Sequence, residues 1–455
     1  MTWTPGPAED GAPRYLALAD AIARDVETGR LRPGDRLPPQ RRLAERIGVD
    51  FTTVSRGYAE ARARGLVEAH VGRGTFVAAR KAPEAPADPR RVQDRDLTMN
   101  LPPEPQDPEL LARMQGGLAA VSRDLVGLLR YQSATGGVVD KEAASSWLSM
   151  RGMAPSLERV AITPGAHPTI FAILMQLAKP GDVILCEAVT YAGIRGIAAR
   201  LGLRLVGIEG DADGILPDAL REAARAHGAR ALYLNPTLNN PTTRTIPEAR
   251  RLEIAAALEE LDLPLIEDDA YGFIPQHAPP ALATMAPGRV WHVGGLAKCI
   301  GAGLRLAYTV APDPRAARKL ARCLKTTNVM PSPLCMALAT RWIQDGTADA
   351  IRRFIRAETA ARQKIAAELL QGADFDADPN AFNIWLRLPP GRGRAQAAGL
   401  LAATGIGVMP ADAFTVEGAP QEALRICLGG DASRAGVHAA LSLLAEALDP
   451  HSWYG

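Results

Sequence analysis

The sequence predicts two domains of different fold class: a small helical domain that ends in a β-hairpin, and a large α/β domain with a mainly parallel sheet. Residues 1–77 contain three short helical patterns followed by two short strand patterns. From about residue 99 onward, apolar strand patterns alternate with helical ones. A chain of 455 residues is also longer than one hydrophobic core usually supports.

Composition is typical of a globular protein and argues against several other classes. Hydrophobic residues make up 47% of the chain and charged residues 22%, which are ordinary values for folded domains. No apolar run reaches the roughly 18 residues of a membrane span, and the N-terminus lacks the layout of a signal peptide. The five cysteines are scattered, without metal-ligand spacing. We therefore expect a cytoplasmic protein with no metal site, no disulfide framework and no membrane contact.

The net charge of +2 divides unequally along the chain. Residues 14–81 carry 14 Arg and Lys against 8 Asp and Glu, a net charge of +6, which leaves −4 for the remainder. A basic block joined to a mildly acidic body indicates a module that binds a polyanion. Charge alone would favour a simpler alternative, a solvated basic helical face.

The order of elements in the N-terminal block favours the polyanion-binding module. One helical pattern covers 15–29, and a second covers 40–48. Asp50 is placed to cap a third helix, which ends at Gly65. Residues 66–77 are typical of two short strands around a glycine-containing tip. Three helices followed by a hairpin form a winged helix-turn-helix, whose third helix enters the major groove of DNA.

These residues resemble the GntR-type DNA-binding domain. Its usual motifs are G-x-L-x-P-G-x-x-L-P-S-x-R-x-L-A, V-S-R-x-T-V and G-x-G-T-F-V, and here they read GRLRPGDRLPPQRRLA, VDFTTV and GRGTFV. The resemblance covers about sixty residues and implies that residues 1–77 bind double-stranded promoter DNA. It implies that Arg41 contacts phosphate, that Thr52 and Thr53 face the groove, and that Arg73 extends from the wing.

The second of these motifs, VDFTTV, departs from its usual form at two positions. Asp50 and Phe51 stand where serine and arginine are usual, so an arginine often found beside base edges is missing. Arg56 is the residue we expect to compensate in part. Residues 78–98, rich in proline, alanine and charge, are expected to be a semi-extended linker.

Polar clusters in the large domain follow its apolar strand patterns. TPGAH, NPTLNNPT, EDDAY and GGLAK each come directly after such a strand. Apolar strands separated by helices indicate a mainly parallel sheet with helices on both faces. In such sheets ligands bind at the carboxyl ends of the strands, so these clusters are expected to form one site.

A single lysine stands in the apolar run 290–310, although the chain carries its positive charge almost entirely as arginine. The charged form of an amine is disfavoured in water-poor surroundings, so more of Lys298 would be the neutral nucleophile that attacks an aldehyde. Such a lysine suits the Schiff base of a pyridoxal phosphate (PLP) site when further groups for the cofactor accompany it.

A PLP site needs four further groups: a carboxylate for the pyridine nitrogen, donors to the ring oxygen, an aromatic face and an anion site. In this sequence Asp268 can be the carboxylate, Asn240 and Tyr271 the donors, and Tyr191 the aromatic face. The backbone amides of Ala166 and His167, together with Arg305, can form the anion site. Taken singly, each has an ordinary explanation, such as a surface position for Lys298 or a helix cap for Asp268. Their joint occurrence in one order favours the cofactor site.

The ordered motifs YQSATGG, TPGAHPT, NNPT, EDDAY, AK with Arg305, and ALRICLGG resemble those of the fold-type I, class I/II aminotransferases. The resemblance implies an aminotransferase-like domain over 99–455, with a large subdomain at about 140–330 and a smaller C-terminal α+β subdomain at about 331–455. It assigns the cofactor roles given above. It also implies that Tyr131 reaches the phosphate in the neighbouring subunit of a homodimer, and that Arg425 binds the carboxylate of an amino acid.

The aminotransferase motifs also contain departures. Thr243 stands in the glycine position of N-P-T-G, and Gly295 and Ala297 replace hydroxyl-bearing residues before the lysine. Two hydroxyls expected near the phosphate are thus missing. Cofactor binding is expected to depend more heavily on Arg305, the helix amides and Tyr131.

A GntR-like domain followed by an aminotransferase-like domain resembles the MocR/GabR subfamily of bacterial transcriptional regulators. The resemblance implies a PLP-dependent regulator in which an amino-acid-like effector forms an external aldimine with PLP at Lys298 and alters promoter binding. Two alternatives remain open. The chain is a working aminotransferase with an appended DNA-binding domain, or a regulator that senses PLP itself.

Overall fold

The computed structural model describes residues 3–6, 13–70, 74–78, 97–403 and 405–448. The chain divides into two compact units, Met1–Val92 and Gln93–Gly455. Arg73, at the expected wing tip, and residues 79–96 of the expected linker lie outside the described residues. In the part of the chain that is described, no helix has the length and apolar character required to cross a membrane.

The N-terminal unit contains three helices and a hairpin. Its elements are α1 Arg14–Glu27, α2 Gln40–Ile47, α3 Phe51–Ala63, β1 Val67–His70 and β2 Gly74–Val77. The two strands pair antiparallel. The winged helix-turn-helix expected from the sequence is confirmed.

Local signals explain how the turn between α2 and α3 forms. Gly48 ends α2 in the left-handed conformation, with φ at +66°. Asp50 then caps α3 by accepting a hydrogen bond from the amide of Thr52. The hydroxyl of Tyr58 donates to Pro38 O at 2.9 Å, which fixes α3 against the segment before α2. Apolar residues of all three helices, among them Ile22, form one core.

The larger unit contains thirteen helices within the described residues. They are α4 Pro108–Val121, α5 Leu125–Leu128, α6 Val138–Leu148, α7 Ala166–Leu177, α8 Ala192–Leu201, α9 Pro217–His227, α10 Glu248–Leu261, α11 Leu282–Met285, α12 Pro314–Thr327, α13 Pro333–Gln344, α14 Thr347–Leu369, α15 Arg394–Ala403 and α16 Arg434–Leu448. Short 3₁₀ helices cover Ser122–Asp124, Ser149–Arg151, Ala302–Leu304 and Ala411–Ala413.

The strands of this unit form a large sheet, a smaller sheet and a short hairpin. They are β3 Val160–Thr163, β4 Val183–Glu187, β5 Arg204–Ile208, β6 Gly210–Asp211, β7 Gly214–Ile215, β8 Ala231–Leu234, β9 Leu265–Asp268, β10 Val290–Gly295, β11 Ala307–Val310, β12 Asp374–Asp376, β13 Asn383–Arg387, β14 Met409–Pro410 and β15 Ala423–Cys427.

The seven-stranded sheet has the order β3-β11-β10-β9-β8-β4-β5. Its strands are parallel except for β11, which is antiparallel to both neighbours. The connection 296–306 holds only a one-turn 3₁₀ helix. It is therefore too short for the crossover that a parallel strand requires. The predicted mainly parallel sheet is confirmed, and the carboxyl ends of β3, β4, β8, β9 and β10 share one edge.

A smaller α+β subdomain follows, as expected. Its antiparallel sheet has the order β12-β13-β15-β14. The side chains of Ile384, Leu424 and Ile426 form its core together with Leu97. Leu97 lies far from them in sequence, so the first described residues of this unit pack onto its last strands.

Candidate cofactor and ligand site

A cavity of about 500 Å³ lies at the carboxyl edge of the seven-stranded sheet. This volume is within the range of small-molecule sites. Eight of the residues singled out from the sequence line it: Ala166, His167, Tyr191, Asn240, Tyr271, Lys298, Arg305 and Arg425. The loops after five strands thus meet Arg425, which comes from β15 of the smaller sheet.

Lys298 follows the buried strand β10 and is itself partly buried. Loss of hydration lowers the pKa of its amine to about 8, and the nearby Arg425 and Arg305 act in the same direction. The amine donates a hydrogen bond to the backbone oxygen of Asn100. About a tenth of Lys298 is therefore the neutral nucleophile at pH 7, far more than for a lysine with its usual pKa.

Asp268 ends strand β9 and is buried. Its Oδ2 accepts a hydrogen bond from the hydroxyl of Tyr233 at 2.8 Å, whereas its Oδ1 has no partner. Burial raises the pKa of this carboxyl to about 6, and the neighbouring Asp269 raises it further, while Tyr233 and Lys298 act against the rise. One buried carboxylate oxygen is thus left available to a cation or a donor.

Strand alternation explains why Asp268, among three consecutive acids, belongs to the cavity. Glu267 and Asp269 point to the opposite face of β9. There Asp269 accepts from Arg151 at 2.6 Å, and Glu267 lies 3.1 Å from the ring nitrogen Nδ1 of His292. Both neighbours are fully buried in this charged network, which leaves Asp268 alone beneath the site.

The start of α7 forms an anion site. Gly165 precedes the helix with φ at +104°, and neither Ala166 nor His167 has an acceptor for its amide within the described residues. The guanidinium of Arg305 lies beside them, because a Cβ placed on Gly165 would come within 3.5 Å of its Nη2. Two free amides at a helix N-terminus and one guanidinium suit a phosphate group.

Tyr191 forms an aromatic wall of the cavity. Its ring lies over Gly193, where an added Cβ would come within 2.2 Å of the ring carbon Cε1. A side chain at position 193 would therefore displace the ring. Burial raises the pKa of Tyr191, and the negative Asp268 adds to the rise, so the phenol stays neutral.

Arg425 is the charged group on the opposite side of the cavity. Its side chain is 6% exposed, and its guanidinium lies 4.8 Å from the ring centroid of Phe414. Nη1 donates to Asn240 Oδ1 at 2.9 Å, Nη2 donates to the backbone oxygen of Thr98, and Nε has no partner. A buried guanidinium with an unpaired donor suits an anionic ligand.

Thr243, in the position usually held by glycine, has φ at +63°. That is the left-handed conformation that glycine adopts most easily and that β-branched residues avoid. The departure thus places a threonine where the backbone is strained. Its amide donates to Asn239 O at 2.7 Å, which holds the turn.

Tyr131 does not line the cavity of its own chain. Its side chain is 86% exposed, on the segment between α5 and α6.

Asp268 is the other predicted cofactor residue that is not in the cavity lining, because it lies beneath the cavity wall.

Several cavity residues were not identified from the sequence, among them Thr98 and Phe414. Nor was Tyr233, whose hydroxyl bonds to Asp268. Tyr233 carries a usable signal, because a polar phenol in an otherwise apolar central strand requires a partner. Thr98 is the last residue of the expected linker and belongs to no recognisable motif. No group of metal-binding side chains occurs among the residues that the structure describes.

The expected DNA-contacting residues of the N-terminal unit lie near the start of α3. Arg41 is exposed, with its guanidinium 5.8 Å from the ring centroid of Phe51. The hydroxyl and amide of Thr52 both bond to Asp50 Oδ1, so the hydroxyl contributes to the cap. Thr53 is partly buried.

Two further arginines of this unit contact aromatic rings. Arg56 lies 4.3 Å from the ring centroid of Tyr15 on α1. Arg36, which the sequence analysis did not single out, lies near Phe76 of the hairpin. A Cβ on Gly74 would come within 2.8 Å of Arg36 Nε, so the glycine permits this close approach.

The fold and the site are those of an aminotransferase-like domain joined to a helix-turn-helix domain. The family model for aminotransferase class I and II matches residues 108–442, and the chain belongs to that family. The model for bacterial regulatory proteins of the gntR family matches residues 14–77. The chain is therefore a fusion of a GntR-type helix-turn-helix domain with an aminotransferase class I/II domain.

The fusion is shared with bacterial regulators. The uncharacterized HTH-type transcriptional regulator YdeF of Bacillus subtilis is 28% identical over 99% of this chain and 97% of its own length. The probable rhizopine catabolism regulatory protein MocR of Rhizobium meliloti is 27% identical over 78% of this chain and 77% of its own. Among solved structures, α-aminoadipate aminotransferase LysN of Thermus thermophilus, complexed with N-(5′-phosphopyridoxyl)-L-leucine, superposes with a TM-score of 0.70. That match has 23% identity and covers 78% of this chain and 92% of LysN.

Proposed function

We propose that this chain is a PLP-dependent, ligand-responsive transcriptional regulator that acts in the bacterial cytoplasm. One observation carries the proposal: a single chain joins a GntR-type helix-turn-helix domain to a cavity in which Lys298, the anion site and Arg425 meet. The similarity to YdeF along 99% of the chain supports it.

The residues of the cavity fit pyridoxal phosphate. Lys298 supplies a neutral amine for the aldehyde, and the unpartnered Oδ1 of Asp268 supplies a buried acceptor for the pyridine nitrogen. The amides at the start of α7, with Arg305, hold the phosphate. When bound, the cofactor supplies an aldehyde that reacts reversibly with amines and a ring that withdraws electrons.

Further cavity residues orient that ring. Tyr191 provides its stacking face, while Asn240 and Tyr271 face the ring oxygen. Burial holds the pKa of Tyr271 well above its usual value. Its hydroxyl therefore stays protonated and can donate a hydrogen bond to the ring oxygen. With fewer hydroxyls near the phosphate, because of Gly295 and Ala297, the charge of Arg305 carries more of the binding.

The effector is an amino compound that also carries an acidic group. Its amine reaches the position of the Lys298 amine, and its carboxylate binds the guanidinium of Arg425, which is buried and has one donor unpaired. Its binding changes DNA affinity only if one arrangement of the protein binds it better than another.

The active form is a homodimer. Large apolar side chains are exposed on the segment around α5 and the start of α6, among them Leu125, Val126, Leu129 and Val139. Exposed apolar clusters of this kind mark interaction sites. Tyr131, exposed on the same segment, would complete the phosphate site of the second subunit.

The N-terminal domain binds double-stranded promoter DNA. Arg41 contacts phosphate, the start of α3 with Thr52 and Thr53 enters the major groove, and Arg56, further along α3, assists. Arg73, outside the described residues, would extend the contact from the hairpin. Dimer symmetry would then match two half-sites on the DNA.

A working aminotransferase is the second candidate, because the residues that would serve catalysis also share the cavity. A regulator that senses PLP itself is a third.

The test adds PLP to purified protein and then a panel of α-, β- and γ-amino acids and taurine. It follows absorbance, turnover with keto acids, and affinity for DNA upstream of the gene. A ligand that shifts DNA affinity without fast turnover supports the proposal. Fast turnover with unchanged DNA affinity supports the enzyme, and a response to PLP alone supports the third candidate.

A further inference from the structure

Residues 97–100, here called the entry segment, lie along the ligand side of the cavity. The amide of Cys427, at the end of β15, donates to Leu97 O at 3.1 Å, and the Leu97 side chain packs into the core of the smaller subdomain. The next three residues, Thr98, Met99 and Asn100, line the cavity. The entry segment overlaps the end of the expected linker and is the first described stretch after the helix-turn-helix unit.

Two backbone oxygens of the entry segment accept hydrogen bonds from Arg425, the proposed carboxylate partner, and from Lys298, the proposed Schiff-base lysine. Arg425 donates from Nη2 to Thr98 O, and the amine of Lys298 donates to Asn100 O. The segment therefore occupies positions that a bound amino acid would use.

The side chain of Asn100 holds the entry segment in place. It is buried, and its Nδ2 donates to the hydroxyl of Tyr271 at 2.9 Å and to Asn383 Oδ1 at 3.2 Å. Tyr271 belongs to the loop after β9 and Asn383 to β13. Asn100 thus joins the segment to both subdomains that enclose the cavity.

We propose that the entry segment is an internal competitor of the ligand carboxylate, and that ligand binding displaces it; this inference rests on the proposed function. The Nε and Nη2 hydrogens lie on one edge of a guanidinium, and a carboxylate binds that edge with both oxygens. In Arg425 Nε has no partner and Nη2 holds only the neutral Thr98 oxygen. A carboxylate would satisfy both donors with a charged acceptor, and Thr98 O would have to leave.

The displacement has a direct consequence for the rest of the chain. The entry segment is covalently continuous with the linker and the DNA-binding domain, so moving it changes the point from which the linker starts. Binding of a carboxylate to Arg425 would therefore move the point at which the linker to the DNA-binding domain is attached. A ligand without an acidic group would leave Thr98 O on Arg425, and the attachment point would not move.

Two synthetic probes test the displacement without knowledge of the natural effector. N-(5′-phosphopyridoxyl)glycine carries a carboxylate, and N-(5′-phosphopyridoxyl)methylamine is the same molecule without it. Full-length, cofactor-free protein is saturated with each, and hydrogen–deuterium exchange is followed at the amides of residues 97–101. We expect faster exchange there with the glycine probe than with the methylamine probe. Equal exchange with both probes contradicts the inference.

A variant supplies the second measurement. Asn100→Ala removes the side chain that holds the entry segment, so the ratio of affinities for the glycine and methylamine probes should rise about tenfold, the effect of losing one or two hydrogen bonds. The matched control is Asn380→Ala, whose amide bonds to Asp378 in the smaller subdomain, and the ratio should stay unchanged there. An unchanged ratio in Asn100→Ala overturns the inference and leaves the proposed function standing. If neither probe binds, the proposed cofactor site is wrong and the inference fails with it.

Discussion

The hydroxyl of Tyr233 donates to Asp268 Oδ2 at 2.8 Å, from the adjacent strand of the same sheet. This bond fixes the carboxylate so that Oδ1, which has no partner, is the oxygen left for the pyridine nitrogen. It also stabilises the ionised carboxylate, against the burial that raises the pKa of Asp268 to about 6. Tyr233 is therefore a positioning residue.

Replacing Tyr233→Phe should weaken PLP binding about tenfold, the worth of one hydrogen bond to a charged group. The pKa of Asp268 should rise further, so the loss should be larger at pH 6.5 than at pH 8.5. The measurement is the PLP dissociation constant, from absorbance, at both values. Tyr308→Phe, which alters another buried tyrosine of the sheet, is the control. Equal constants and equal pH profiles in wild type and Tyr233→Phe would exclude the positioning role.

Arg425→Gln should abolish recognition of the effector carboxylate while PLP still binds. Loss of a buried charged partner typically costs 2–5 kcal/mol, so effector affinity should fall by a factor of roughly 30 or more. The matched control is Arg387→Gln. Arg387 lies on the neighbouring strand β13 and pairs with Asp374 and Asp376. Calorimetric titration of the PLP-loaded protein with the amino acid that shifts DNA affinity measures the effect. Equal losses of affinity in both variants would show that Arg425 has no special role.

The partly buried carboxyl of Glu187, at the end of β4, should make the stability of cofactor-free protein depend on pH. Burial raises its pKa from 4.5 to about 7, although it accepts hydrogen bonds from Thr190, Asn235 and Asn239. The folded protein holds this proton more tightly than the unfolded chain. The contribution of Glu187 to stability is therefore fully present below pH 4.5 and falls as the pH rises towards 7, by on the order of 1–3 kcal/mol.

Glu187→Gln should lack this contribution. Thermal unfolding at pH 5.0 and pH 7.5 measures it, and wild type should lose more of its Tm between the two values than the variant does. Asp268 titrates in both proteins and so cancels from the comparison. The same loss in both would show that Glu187 does not bind the proton as described.

Arg41→Ala should weaken binding to all DNA sequences alike, because a phosphate contact carries no base information. Loss of one such contact should lower the slope of log affinity against log salt by about 1. Arg64→Ala, at the far end of α3 where Arg64 pairs with Asp20 and Glu60, is the control for loss of charge. Fluorescence anisotropy at several salt concentrations measures both variants. A slope that changes equally in both would contradict a specific phosphate contact by Arg41.

The sequence was sufficient to predict the mainly parallel sheet and most residues at its edge. Lys298 and Asp268 follow apolar strands, and parallel strands bring their carboxyl ends together regardless of distance along the chain. The reversed direction of β11 was not predicted, although the connection between the two apolar strands is too short for a parallel crossover. The helices and hairpin of the N-terminal unit were predictable because capping residues such as Asp50 act locally.

The groups that the sequence did not reveal depend on contacts between distant segments. Asn100 reaches the cavity only because Leu97 packs against the last strands of the smaller subdomain. The interaction of Arg425 with Thr98 O joins residues 327 positions apart. Tyr131 could be singled out by resemblance, yet its proposed role concerns a second copy of the chain.

The most direct measurement of the central claim compares wild type with Lys298→Ala in the presence of PLP. Absorbance at about 420 nm, where imines of this cofactor absorb, and ligand-dependent affinity for promoter DNA are followed together. We expect wild type to develop the band and to change its DNA affinity when an amino-acid ligand is added, and Lys298→Ala to show neither. A wild-type protein that stays colourless with PLP, or a Lys298→Ala protein that keeps ligand-dependent DNA binding, would contradict the account.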